Sequence, residues 1–466
     1  MTKNILGSLS IIATLAVVHF TQTAFAADLF SSLSNPCIEA EDCAPCDEID
    51  TCNKKSRWSF YGVAEAGIFA NSFGQKSLHG GTWVVPPGVP IYNPGVLPPG
   101  VGNTLALINV RQTDLQLNQL ILGGGRSLDS KYGLDWGVHA DFAFGTDAIF
   151  LQSDGLEFGK GGNLAGRNVY AGQGSWGTGD YYTAIAQAYV ELGYKNTSLK
   201  IGKFLTPFGS NSAVAPNRFF YSLPTNFALY PATQSGIIGT WDVSKKLSLF
   251  GGWTSGIDTE CGITGYSGVL LHRGTFFSSS DNNAFLGGLT YKLSDRTTIK
   301  YASIIGENDG NTASLPGNDD KYFLQSFVVA VKLSKKWDYT FDWTIANYNT
   351  TDTGVDFHSA GSYGINQELI YYYSKKLSLG FRGEWTHSYV NSFWGGQFAN
   401  IDTAFVNGPG VDPNHYDFSL GASYTPTKNI TIRPELRYDK FDGVTPFNNI
   451  TKDHQLSGGF STIYKF

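Results

Sequence analysis

The run Ile430-Thr431-Ile432-Arg433-Pro434-Glu435-Leu436-Arg437-Tyr438-Asp439 changes character at nearly every step. Successive side chains of a strand point to opposite faces. Ile430, Ile432, Leu436 and Tyr438 therefore share one face, and Thr431, Arg433, Glu435, Arg437 and Asp439 share the other. A face with two guanidinium groups and two carboxylates belongs in water, and its opposite belongs against something apolar. Pro434 lacks the N–H that a strand ladder needs, so a local bulge or weakened pairing is expected there.

The same alternation recurs along the chain, and no helical period fits these stretches. Leu456, Gly458, Phe460, Thr462, Tyr464 and Phe466 alternate with Gln455, Ser457, Gly459, Ser461 and Lys465, with Ile463 the exception. Leu379, Phe381 and Trp385 alternate with Ser378, Arg382, Glu384 and Thr386. Leu134, Trp136, Val138 and Phe142 alternate with Asp135, Gly137, His139 and Asp141. Tyr339, Phe341, Trp343 and Ile345 alternate with Asp338, Thr340, Asp342 and Thr344. On this reading Phe341→Arg puts a guanidinium against lipid at a cost of about 2–4 kcal/mol, whereas Asp342→Arg changes only ion preference.

Short polar pieces separate the alternating segments: Asp129-Ser130-Lys131, Lys195-Asn196-Thr197, Ser244-Lys245-Lys246, Ser294-Asp295-Arg296, Ser334-Lys335-Lys336, Ser374-Lys375-Lys376 and Thr427-Lys428-Asn429. Seven tight turns join fourteen strands, and an unpaired strand at each end makes sixteen. The expected fold is an all-β, transmembrane, antiparallel up-and-down β-barrel of about 16 strands, with short turns at one rim and long loops at the other. A barrel of that girth is too wide for its wall side chains to fill, so an aqueous channel is expected.

The start of the chain sets the compartment. Lys3 precedes an apolar stretch from Ile5 to Phe20, and Ala24 and Ala26 have the spacing of a small-residue cleavage site. This is the order of a secretory signal. The expected organisation is residues 1–26 as signal peptide, 27–56 as a Cys-rich periplasmic extension and 57–466 as the barrel. No later stretch is long and apolar enough for a transmembrane helix. The chain carries 25 Tyr, 32 Phe and 10 Trp but one Met, and its mean hydropathy is −0.14. Such an average suits a spanning barrel, in which lipid-facing and water-facing residues alternate. A net charge of −6 gives no reason to expect nucleic acid.

Several motifs, in order, carry a family resemblance. Trp58-Ser-Phe-Tyr-Gly-Val-Ala-Glu-Ala-Gly opens it, followed by Leu117-Asn-Gln-Leu-Ile-Leu and Asp135-Trp-Gly-Val-His-Ala-Asp. Ala188-Tyr-Val-Glu-Leu-Gly-Tyr, Leu199-Lys-Ile-Gly-Lys-Phe-Leu-Thr-Pro-Phe-Gly and Arg433-Pro-Glu-Leu-Arg-Tyr-Asp complete it. From Arg57 to Phe466 the chain resembles the OmpL-like β-barrel porin family of the outer membrane. The resemblance implies a pore and names no substrate. Phe466, with Tyr464 before it, resembles the C-terminal signal read by the outer-membrane barrel assembly machinery.

Cys37, Cys43, Cys46 and Cys52 lie in an acidic stretch before the first strand. In an exported protein, disulfides are the first expectation, with three pairings open. Metal ligation and bonding to a partner chain are the alternatives. Cys261, in an expected external loop, is read as a free thiol.

The alternation also proposes the channel wall. Its acids are Glu65, Asp135, Asp141, Glu191, Asp338, Asp342, Glu368, Glu384, Asp417, Glu435 and Asp439; its bases are Lys200, Lys300, Lys332, Arg382, Arg433 and Arg437; His139 is a further polar wall residue. Eleven acids against six bases predict a mild preference for cations. Three stretches stand out as candidate mouth or constriction loops: 84–102, 155–179, and the Pro- and aromatic-rich stretch from Pro207 to Pro231. No nucleophile and His cluster is legible, so neither catalysis nor a cofactor or metal is expected. The functional expectation is a porin for small hydrophilic solutes and ions, embedded in outer-membrane lipid and able to form homo-oligomers. A structural or adhesive barrel acting through its loops and Cys-rich leader is the alternative.

Overall fold

The computed structural model describes residues 56–73, 113–154, 156–157, 177–178, 181–256, 274–275, 283–308, 320–349, 360–388, 414–443, 447–448 and 452–466. The signal peptide, the cysteines at 37, 43, 46, 52 and 261, loop 84–102 and most of loop 155–179 lie outside the described residues.

Sixteen strands form the wall. They are β1 (Trp58–Asn71), β2 (Gln116–Arg126), β3 (Leu134–Gly145), β4 (Tyr181–Tyr194), β5 (Thr197–Leu205), β6 (Thr233–Asp242), β7 (Leu247–Thr254) and β8 (Ala284–Ser294). The rest are β9 (Thr297–Asn308), β10 (Asp320–Lys332), β11 (Trp337–Asn349), β12 (Ala360–Tyr372), β13 (Leu377–Ser388), β14 (Asn414–Thr427), β15 (Ile430–Asp442) and β16 (His454–Lys465). Each pairs antiparallel with its sequence neighbour, and β16 returns to β1 from Val63↔Lys465 to Asn71↔Ser457. Closure leaves no open edge, so the wall's backbone groups are satisfied without water. The seven expected tight turns are all present between β2 and β15.

Burial is inside out. Phe60, Leu134 and Phe285 on the outer face are 82%, 80% and 66% exposed, while Arg437 and Asp417 on the inner face are fully buried. In the last strand the inner set is Gln455, Ser457, Ser461 and Ile463, so the alternation assigns the faces as expected and Ile463 simply points inward. The terminal residue is part of the closure. Gly62 and Phe466 exchange backbone hydrogen bonds of 2.7 and 2.9 Å, and a methyl group on Gly62 would overlap the Phe466 ring.

Pro434 acts on one side only. Pairing with β16 runs unbroken from Ile430↔Tyr464 to Lys440↔His454. On the β14 side, pairing stops at Gly421↔Glu435 and resumes in the same register at Tyr424↔Ile432. The missing N–H thus opens a gap without a shift, and the bulge lies further on, between Tyr424 and Thr427.

Candidate functional site

The segment between β5 and β6 does not leave the barrel. Pro207, Pro216, Pro224 and Pro231 deny residues 206–232 a strand ladder, because each lacks the N–H and holds φ near −65°. Two short 3₁₀ turns form instead, at Ala215–Asn217 and Thr225–Leu229. Phe208, Phe220, Tyr221, Phe227 and Tyr230 are all buried. Gly209 has φ +68°, and a side chain there would strike the Tyr230 ring.

A segment inside a barrel must find partners for its own backbone groups. The wall provides them with charged side chains. Asp342 of β11 accepts from Ser210 N at 2.6 Å and Ser210 Oγ at 2.8 Å. Glu368 of β12 accepts from Asn211 Nδ2 at 3.1 Å. Glu384 of β13 accepts from Thr225 N at 2.8 Å and from Asn226 N. Glu435 of β15 accepts from Ser222 N at 2.8 Å and from its hydroxyl. The guanidiniums take the carbonyls: Arg382 donates to Ser222 O (2.9 Å) and Arg437 to Leu223 O (2.9 Å). Arg433 donates to Ala215 O, Arg218 O and Phe220 O, at 3.1, 3.0 and 3.1 Å. On β2, Gln119 donates to Ala213 O at 2.6 Å and accepts from Ala215 N at 2.9 Å.

The same charges pair among themselves. Arg433 and Arg218 both reach Glu65. Arg382 and Arg437 reach Asp417 at 3.2 and 2.8 Å, and Arg437 and His415 reach Asp439 at 2.8 and 3.0 Å. Removing one member of such a pair strands the other in a low-dielectric interior. A second inward turn, Thr146–Leu151, follows β3. Its Asp147 accepts from Gln119 Nε2 at 2.9 Å. Burial, reinforced by Glu65, raises the Asp147 carboxyl to about 7. Glu157 just beyond it pairs with Lys203 at 3.3 Å.

These contacts divide the expected wall residues in two. Glu65, Asp141, Asp342, Glu368, Arg382, Glu384, Asp417, Arg433, Glu435, Arg437 and Asp439 are buried. Asp135, His139, Glu191, Lys200, Lys300 and Asp338 keep partial exposure and Lys332 is exposed, near the short-turn rim. Asp135 is held by Arg57 and Arg126, His139 lies 3.1 Å from Asp141, and Lys200 sits 4.3 Å from the centre of the Tyr189 ring. Asp342 is therefore an anchor of the inward segment and not a free wall charge, and Asp342→Arg is not the neutral exchange expected above. Tyr464 and Phe466 stack on the outer face with ring centres 5.6 Å apart.

The lumen, too wide for wall side chains to fill, is narrowed by the chain itself. Every one of the sixteen strands has buried residues in the half nearest the long loops, from Phe69 on β1 to Ser457 on β16. Wall side chains alone do not span that width; the chain's own inward segments do. Sequence reading found the segment from its prolines and aromatics but missed Gln119, Arg218, Ser222 and Asn226, whose roles depend on distant partners. Among the described residues no group of three or more His, Cys, Asp or Glu is arranged to hold a metal.

Comparison with known proteins agrees with this architecture. A family model described as "Putative beta-barrel porin-2, OmpL-like" matches residues 96–466; the Trp58 motif lies before that match. The outer-membrane channel DcaP of Acinetobacter baumannii is similar in structure, at 13% identity and a TM-score of 0.51, over 88% of this chain and 97% of that one. At this identity the likeness concerns the fold alone. An anion-selective porin from Comamonas acidovorans shows 9% identity and a TM-score of 0.49, over 88% of this chain and 99% of that one, too loose a likeness to argue from. No curated protein matches the chain.

Proposed function

The chain belongs to the family described as "Putative beta-barrel porin-2, OmpL-like", and from that premise we propose that small hydrophilic solutes and ions cross its lumen passively, past a constriction formed by segment 206–232. The protein is an outer-membrane β-barrel channel. One observation carries the constriction. The segment leaves β5, returns at β6, and is bonded by Glu384 of β13 and Arg433 and Arg437 of β15, on the far side of a sixteen-strand ring. It therefore spans the lumen's width.

A weak preference for cations follows from charge, though from a different place than an exposed wall. Of the eleven acids and six bases named from sequence, eight acids and three bases are buried. The exposed or partly exposed remainder balances at three and three, so the excess of five acids lies among the buried residues, most of which bond to segment 206–232. Fixed negative charge at the narrowest point favours cation entry. This reading has no catalytic step. It has residues 1–26 removed on export and Tyr464 and Phe466 read by the assembly machinery, and it leaves room for association of copies in the membrane.

The rival reading is a sealed structural or adhesive barrel, favoured by the burial of inner-face residues on all sixteen strands. Planar-bilayer recording separates the two. The native protein should conduct in discrete steps, and excision of 210–230 should enlarge each step several-fold. A silent native barrel that conducts only after excision would favour the rival. Silence from both would end the channel reading.

A further inference from the structure

The tip of the inward segment holds polar atoms that the constriction does not use. Gly364 of β12 faces inward between Thr344 of β11 and Thr386 of β13, its two cross-strand partners. Lacking a side chain, it leaves room for Asn226: a Cβ on Gly364 would collide with Asn226 Oδ1. Two residues along, Asn366 and Glu384 form the next inward cross-strand pair. Opposite residues on one sheet face stand roughly 5 Å apart at Cβ, and residues two apart on one strand are near neighbours on that face. Asn366, Glu384 and Thr386 thus occupy three corners of one small patch, and the Asn226 amide covers the fourth.

Asn226 Oδ1, Asn366 Oδ1 and Thr386 Oγ1 are buried and have no hydrogen-bond partner, on residues at most 1% exposed. Buried oxygens of this kind require a donor or a cation. Beside them lies Glu384, and the surrounding wall is rich in negative charge. On β11–β15 six buried carboxylates, Asp342, Glu368, Glu384, Asp417, Glu435 and Asp439, face three guanidiniums, one of which (Arg433) is turned to Glu65. Neutral amide and hydroxyl oxygens around one carboxylate, in an environment with excess negative charge, suit a hard cation and not a thiophilic one.

We propose that a hard cation of the Ca²⁺ type binds between the tip of segment 206–232 and the inner face of β11–β13, held by Asn226, Asn366, Thr386 and Glu384. Because Asn226 belongs to the segment and the other three to the wall, the ion ties the two together. It does so where a buried amide oxygen of the segment, Asn226 Oδ1, is left without a partner beside unpartnered oxygens of the wall. The site does not depend on whether the barrel conducts.

Binding of ⁴⁵Ca²⁺ to the full-length protein, purified in detergent and stripped with EDTA, tests this directly. The native chain should take up one saturable equivalent, and Ca²⁺ should raise the temperature at which its heat-modifiable band shifts. Asn226→Ala and Thr386→Val should each weaken binding by roughly tenfold or more and lose that shift, while Asp453→Asn at the exposed rim should behave as the native chain. Should either of the first two fail to show the folded band, Asn366→Asp, which keeps an oxygen and adds charge, should bind more tightly. Absence of saturable binding, or unchanged affinity in Asn226→Ala and Thr386→Val, would overturn the site. So would an infrared carboxylic-acid band at neutral pH that vanishes in Glu384→Gln and ignores Ca²⁺, since a proton would then hold the place assigned to the ion.

Discussion

The inward segment meets two unlike walls. On β8–β10 the inner face offers Leu286, Ala302, Ile304 and Leu324, which share one buried core with Phe208, Leu229 and Tyr230 of the segment. On β11–β15 it offers carboxylates and guanidiniums aimed at the segment's amides and carbonyls. Apolar contact is non-directional and rewards any packing that removes water. Charge-assisted hydrogen bonds are directional and reward one register. The first wall holds the segment inside the barrel; the second decides where each residue of it sits. Placement of a backbone with four prolines needs the second wall, because no ladder is there to set its register.

The sharpest break in that comparison is Arg433→Ala. It removes three carbonyl contacts and leaves Glu65 buried with only Arg218, at a cost of about 3–5 kcal/mol. The heat-modifiable transition should fall markedly and unit conductance should rise. An unchanged conductance would show that the charged wall does not set the constriction. Next come two neighbours with opposite faces. Phe341→Arg should weaken the barrel itself by about 2–4 kcal/mol. Asp342→Arg should leave the folded band but free Ser210 and widen the channel. Equal loss of the folded band in both would mean that the segment and the wall are one folding unit. The smallest effect belongs to the apolar wall. Ile304→Val should cost about 0.5–1.5 kcal/mol and leave conductance as it is, because loss of a methylene changes packing strength and not register. A conductance change as large as that of Asp342→Arg would erase the distinction between the walls.

The alternation of Arg433, Glu435, Arg437 and Asp439 with Ile432, Leu436 and Tyr438 was enough, with seven polar turns, to determine the barrel, its sixteen strands and which face meets lipid. Those properties are local: a side-chain period of two and a turn every hairpin are written in adjacent residues. Even Ile463, the misfit of the last strand, has its face settled by the parity of its neighbours. Only the tertiary structure decided what the inward charges are for. Arg433 and Ala215 lie 218 positions apart, and no period links them. Read alone, the charged run is a wall facing water, because its polarity is visible and its partner is not. The prolines and aromatics of 207–231 signalled a segment that could not be strand, but which carbonyl meets which guanidinium depends on how a ring of sixteen strands brings β5 opposite β13. Closure of the barrel sets that distance, and closure belongs to the whole chain.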